Sequence, residues 1–355
     1  MTRLRARIAV LLPALALTAT AVAAAAAPAP ALAASGTSSP PTQNLGQAAA
    51  GWLARQMVGG SHFTDTFNGT TFPDQGLTID SVFAFAATGT ADNYGARAIA
   101  WLARPHILTN YIGNGSTSSF AGATAKLLLA TEVRGVDPAT FGGVNLPARL
   151  AGLLTASGRY SDVSRFGDFS NAFSQSLAII ALARLRGAPA SAVSFLAGTE
   201  CADGGFPLEF GQATCTSDPD ATAMDAQALL AAGRFGPADQ GLTWLASVQQ
   251  PDGGFISTPG AAPNTNSTGL AGEAFAAAGW VQPAALARQF LASVQVGCSG
   301  RFGQRGALAF DTTGFKQSTA IRATGQGTLG LADIGLAWLS ASGTQAGDPR
   351  LECSS

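Results

Sequence analysis

The sequence predicts an all-α fold, an α6/α6 toroid in which six outer and six inner helices form a double ring. Three observations point there. An aromatic-Leu anchor recurs at Trp52, Trp101, about Leu153, Phe195, Trp244 and Phe290, roughly every 42 to 52 residues, and fixed-period self-similarity marks stacked helical units. Between anchors lies a second Ala/Leu-rich segment that ends in glycine. The anchor set is amphipathic, whereas the second set is apolar on most faces, which separates an outer layer from a buried one.

The N-terminus reads as an export signal over residues 1–33. Arg3, Arg5 and Arg7 precede an apolar run from Ile8 to Ala27, and Ala31-Leu32-Ala33 offers a cleavage site. An uncleaved anchor is the alternative reading. Residues 34–44, rich in Pro, Ser and Thr, read as a linker, and 45–355 as one toroid domain. No later stretch is apolar for long enough to span a bilayer, so free secretion is expected. High Ala, Gly and Arg with little Lys suggests a bacterial gene.

The anchor helices carry Arg55, Arg104, Arg149 and Arg288, as a solvent-facing layer would. The inner segments are expected at Asp80–Gly89, Ser119–Gly135, Asn171–Gly187, Ala221–Gly233, Thr268–Gly279 and Thr328 to about Trp338. Terminal glycines suit the left-handed residue that ends a helix. Closure removes the end repeats that an open solenoid, the runner-up arrangement, would need to cap with polar residues. No such cap repeat is visible.

Charge is sparse. The full chain has a net charge of −1, with lysine only at Lys126 and Lys316. Loss of the three signal arginines would make the mature chain more acidic, which argues against nucleic acid as a partner. Four cysteines in an exported chain predict disulfides, Cys201 with Cys215 first and then Cys298 with Cys353. Metal ligation fails on spacing, because no C-x-x-C exists and His62 and His106 lie far upstream. Neither a metal nor a cofactor is expected.

Trp244-Leu245-Ala246-Ser247-Val248-Gln249-Gln250-Pro251-Asp252-Gly253-Gly254-Phe255 repeats in outline from Phe195 to Phe206. It resembles the repeat of squalene–hopene cyclases and protein prenyltransferase β-subunits, which implies the toroid fold. Asp218-Pro219-Asp220-Ala221-Thr222-Ala223 resembles the D-x-D-D-T-A motif of class II terpene cyclases. That resemblance implies Asp220 as the proton donor and Asp218 as its neighbour, but the motif's next Asp is Ala221 here. A capping reading competes. Asp74, Asp218 and Asn264 recur at equivalent loops, each with a Thr four residues on, as N-caps do. The Asp-Gly-Gly-Phe turns read as structural corners.

Polar residues inside inner helices form a second candidate set. Asp80 and Lys126 each stand nine residues before a terminal glycine, and Asp225, Gln227, Glu273 and Asp333 interrupt other Ala-rich segments. Buried charges need partners, so these residues either sit near helix ends and meet solvent or face a polar central cavity, where Asp80, Lys126, Asp225, Gln227 and Glu273 are expected. The prenyltransferase zinc set, the thioester motif and the squalene cyclases' second helical domain are missing. The expected function is binding of a small apolar or isoprenoid-like ligand in the central cavity. The alternatives are a cyclase-like isomerase using Asp220, and a carbohydrate-active toroid using a carboxylate pair such as Asp225 with Glu273.

Overall fold

This computed structural model describes residues 39–185 and 187–354, all within one compact unit. The expected signal segment and residues 34–38 of the expected linker lie outside the described residues. Six long helices form the interior: α2 (Gln75–Thr88), α5 (Ala121–Val133), α7 (Ala172–Leu185), α9 (Pro219–Ala231), α11 (Thr265–Ala278) and α13 (Gln317–Ala332). Each packs on the next in that order, and α13 packs back on α2. Five of them are apolar on nearly every face and buried accordingly, with every residue of α2 from Leu77 to Ala86 buried, whereas α13 is more polar and exposes Arg322.

The amphipathic helices pack outside them. They are α1 (Leu45–Gln56), α3 (Asp92–Leu102), α4 (Pro105–Ile112), α6 (Leu146–Ala151), α8 (Ala190–Ala197), α10 (Phe235–Val248) and α12 (Val281–Ser293). Each sits on one or two inner helices, as α8 does on α7 and α9. Among the described residues six anchors thus give seven outer helices. The second breaks after Leu102, and Pro105, which has no N–H to donate, starts a new helix at its first turn. The Leu153 anchor falls just past α6, which is only 6 residues long.

The last inner helix also departs from expectation. The segment Thr328 to Trp338 is not one helix: α13 runs earlier and ends on Asp333 in the left-handed conformation. The expected segment began at Thr328 and so left Gly327 outside the helix, but in α13 Gly327 and Gly330 permit close approach to α11. A Cβ on Gly330 would lie 2.8 Å from the carbonyl oxygen of Gly269 in α11. The backbones touch where a larger residue would hold them apart.

Two small sheets were also unforeseen. β1 (Pro41–Thr42) pairs in parallel with β4 (Arg350–Leu351), so the tail of the expected linker belongs to the fold. β2 (Phe63–Phe67) and β3 (Thr70–Asp74) form a hairpin turned by Asn68-Gly69, both at positive φ, which is the signature of a tight two-residue turn. Both expected disulfides are present, Cys201–Cys215 and Cys298–Cys353, with Cα separations of 5.5 and 5.6 Å. No helix among the described residues is long and apolar enough to cross a membrane.

Connections into the inner helices are long and the returns are mostly short, so one face collects the loops and all the inner N-termini. A repeated latch fixes those loops. Phe63, Phe206, Phe255 and Leu308 each donate a backbone N–H to the hydroxyl of Thr78, Thr222, Thr268 or Thr324, at 2.8 to 3.0 Å. Tyr160 does the same to the Gln175 side chain at 2.9 Å. Each loop's returning aromatic or Leu is thereby tied to the helix it precedes.

Candidate functional site

On the loop face Asp218 caps a helix. Its carboxylate accepts the Ala221 N–H at 2.8 Å as the N-cap of α9, and Asp74 and Asn264 cap α2 and α11 alike. Burial raises its pKa, and the N–H groups it accepts only partly offset that. Asp220, in the first turn of α9, is more deeply placed. Its pKa is pushed up to about 6 by burial, against the Ser267 hydroxyl and with a smaller push from Asp218. Its Oδ1 is buried without a hydrogen-bond partner.

The ring centre holds a cavity of about 110 Å³ to which all six inner helices contribute. Asp80, Lys126 and Glu273 line it beside Phe83, Phe173 and Met224. Lys126 Nζ lies 2.5 Å from Asp80 Oδ1, an ion pair between α2 and α5. Glu273 is 3% exposed, its Oε2 has no partner, and burial raises its pKa well above the usual carboxylate range. The neighbouring Gln227 side chain and Lys126 oppose that shift.

Asp225 and Gln227 do not line this cavity. Asp225 is fully buried and accepts the Ser176 hydroxyl of α7, and burial raises its pKa well above normal. The Gln227 Oε1 accepts the Leu336 N–H at 2.9 Å, which pins the short 3-10 turn Leu336–Trp338 over the inner ring. Asp333 lies at the surface, paired to Arg288 at 2.9 Å. The expected carboxylate pair of Asp225 with Glu273 is therefore not assembled on one cavity. A volume of 110 Å³ also falls below the ~300 Å³ at which ligand pockets usually begin, so an isoprenoid does not fit the centre.

A larger hollow was missed by the sequence reading. It measures about 840 Å³ on the loop face, between the segments 207–219 and 255–259. Leu208, Trp244, Val248, Phe255, Ile256 and Pro259 give it a mostly apolar wall, with Glu209 and Asp218 among the polar residues. The loop closed by Cys201–Cys215 forms one side. Asp203, from the Asp-Gly-Gly-Phe turn, accepts both the Trp244 indole N–H at 3.0 Å and the Ser217 hydroxyl at 2.6 Å. That turn is structural, and it orients the hollow's largest side chain. Among the described residues no cluster of His, Cys, Asp and Glu could hold a metal ion.

No protein-family model matches the chain. No curated protein matches it either. Solved structures do. The type II terpene cyclase MstE from Scytonema superposes with a TM-score of 0.61 at 15% identity, over 81% of this chain and 97% of that one. The fold is that of a terpenoid-cyclase-like helical toroid. A protein from Actinoplanes is similar at a TM-score of 0.58 and 14% identity, over 81% of this chain and 98% of its own. A glycosidase is similar at 0.57 and 12%, over 83% and 97%. Such identities carry the fold and not the activity.

Proposed function

We propose that the chain is an exported, disulfide-stabilised α6/α6 toroid that binds an apolar, isoprenoid-sized ligand in the loop-face hollow rather than at the ring centre. One observation carries this reading. The hollow of about 840 Å³ is large enough and apolar enough for such a molecule, and the 110 Å³ centre is not. A neighbour of the same fold supports the ligand class, since MstE has been captured with geranylgeranyl dihydroxybenzoate. Asp218 caps a helix here, which leaves the cyclase-type motif without a free second acid.

Native mass spectrometry of protein purified from culture medium tests the reading. An apolar adduct is expected, retained in Leu329→Phe at the centre and lost in Ser257→Trp, which fills the hollow. A clean apo mass from several media would contradict it.

A second reading rests on Asp220, whose pKa near 6 and unpartnered Oδ1 suit a proton donor. Under it, incubation with squalene or geranylgeranyl diphosphate yields a cyclised product that disappears in Asp220→Asn. Turnover surviving that substitution removes Asp220 from the chemistry.

A further inference from the structure

The ring centre differs chemically from the hollow. Its lining is largely apolar, yet Asp80, Lys126 and Glu273 all face into it. Lys126 is matched by Asp80 at 2.5 Å, whereas Glu273 has no cation of its own. Two acceptors, Asp80 Oδ2 and Glu273 Oε2, are buried without a hydrogen-bond partner, and the neighbouring neutral donor to Glu273, the Gln227 amide, is itself unpartnered at Nε2. Buried oxygens in that state cost stability until something donates to them. Glu273 is 3% exposed, so bulk water does not readily satisfy it.

The geometry points to a binding site for a small organic cation at the ring centre: a primary alkylammonium whose N–H groups serve Asp80 Oδ2 and Glu273 Oε2. Its carbon body lies among Phe83, Phe173 and Leu329, where aromatic rings add attraction for a positive charge. A cavity of about 110 Å³ is smaller than the ~150 Å³ that admits benzene, which limits the ligand to about five heavy atoms. The ion pair marks the solvent-side approach, because the Lys126 and Asp80 side chains are 20% and 11% exposed. The two carboxylates oppose an anion. A neutral alcohol brings one donor for two oxygens and no counter-charge for Glu273.

Binding is coupled to protons. The charged groups facing Glu273 are Asp80 from α2 and Lys126 from α5, while the lining residues of α7, α9 and α13 are uncharged. Burial holds the free Glu273 carboxyl above its ordinary range. An ammonium group stabilises the carboxylate, so uptake releases a proton and affinity rises with pH. The site stands independently of the loop-face hollow.

Isothermal titration with butylammonium chloride tests this, run beside n-butanol and hexylammonium chloride in two buffers of different ionisation enthalpy. Butylammonium is expected to bind with proton release, at least about tenfold tighter than butanol or hexylammonium. Glu273→Gln is expected to weaken it by about tenfold or more. Leu329→Phe, which fills the space without touching a charge, is expected to abolish it. Both variants should keep the loop-face adduct, which separates this test from that of the hollow. No heat at millimolar butylammonium, equal binding by Glu273→Gln, or butanol binding as tightly would each overturn the proposal.

Discussion

Asp218 and Asp220 stand two residues apart at the start of α9, and the helix terminus divides their roles. Asp218 has extended backbone and turns its carboxylate onto the Ala221 N–H, while Asp220 points into a buried space with one oxygen unserved. Asp218→Ala is expected to cost about 1 kcal/mol, the usual worth of an N-cap, and Asp218→Asn almost nothing. Urea unfolding measures both. Asp220 gives a pH signature. Its folded pKa of about 6 exceeds the ordinary 3.8, so its contribution to stability is full below 3.8 and is lost as pH rises through about 6. The advantage of wild type over Asp220→Asn should therefore shrink across that window, read as urea midpoints. Parallel curves would show that Asp220 is not held protonated. The capping role was legible in the sequence, because Asx and Thr recur at Asp74/Thr78, Asp218/Thr222 and Asn264/Thr268. The second job of those threonines, receiving the loop aromatic's N–H, was not legible, since it depends on where the chain returns.

Helices read well where composition and position agree and poorly where they diverge. α2, α7, α9 and α11 lie where apolar runs ending in glycine place them, but α13 does not. The sequence starts that last segment at Thr328 and leaves Gly327 outside it. In the fold Gly327 and Gly330 set the α11–α13 contact, with Gly330 against Gly269 and Gly327 against Thr265. Gly330→Ala is expected to destabilise by about 1–3 kcal/mol through overpacking, despite alanine's better helix propensity. Thermal unfolding checks the sign, and a stabilised variant would mean that the two helices are looser than described. The hairpin β2–β3 carried an explicit Asn-Gly signal that an all-helical reading passed over.

At the scale of the molecule, six buried helices closing from α13 onto α2 leave little room inside and put most of the loop length on one face. Polar residues at the ring centre were foreseeable, because an ionisable side chain within an Ala-rich segment demands a partner. Asp80, Lys126 and Glu273 do meet at one cavity. The hollow was not foreseeable. It arises where loops of two repeats stand apart, and Trp244 reads in sequence simply as another anchor. The Cys201–Cys215 bridge closes one side of that hollow. Replacing both cysteines with serine should cost about 3 kcal/mol for a loop of that length and also loosen the hollow, so thermal stability and the apolar adduct should fall together. Retention of the full adduct would detach the bridge from binding.

The most direct measurement is crystallographic electron density for protein purified from culture medium with its adduct in place. The account predicts a ligand seated between Trp244 and Phe255, beside a closed contact of α13 with α2. Elongated density through the ring centre, with the inner helices spread to admit it, would contradict that.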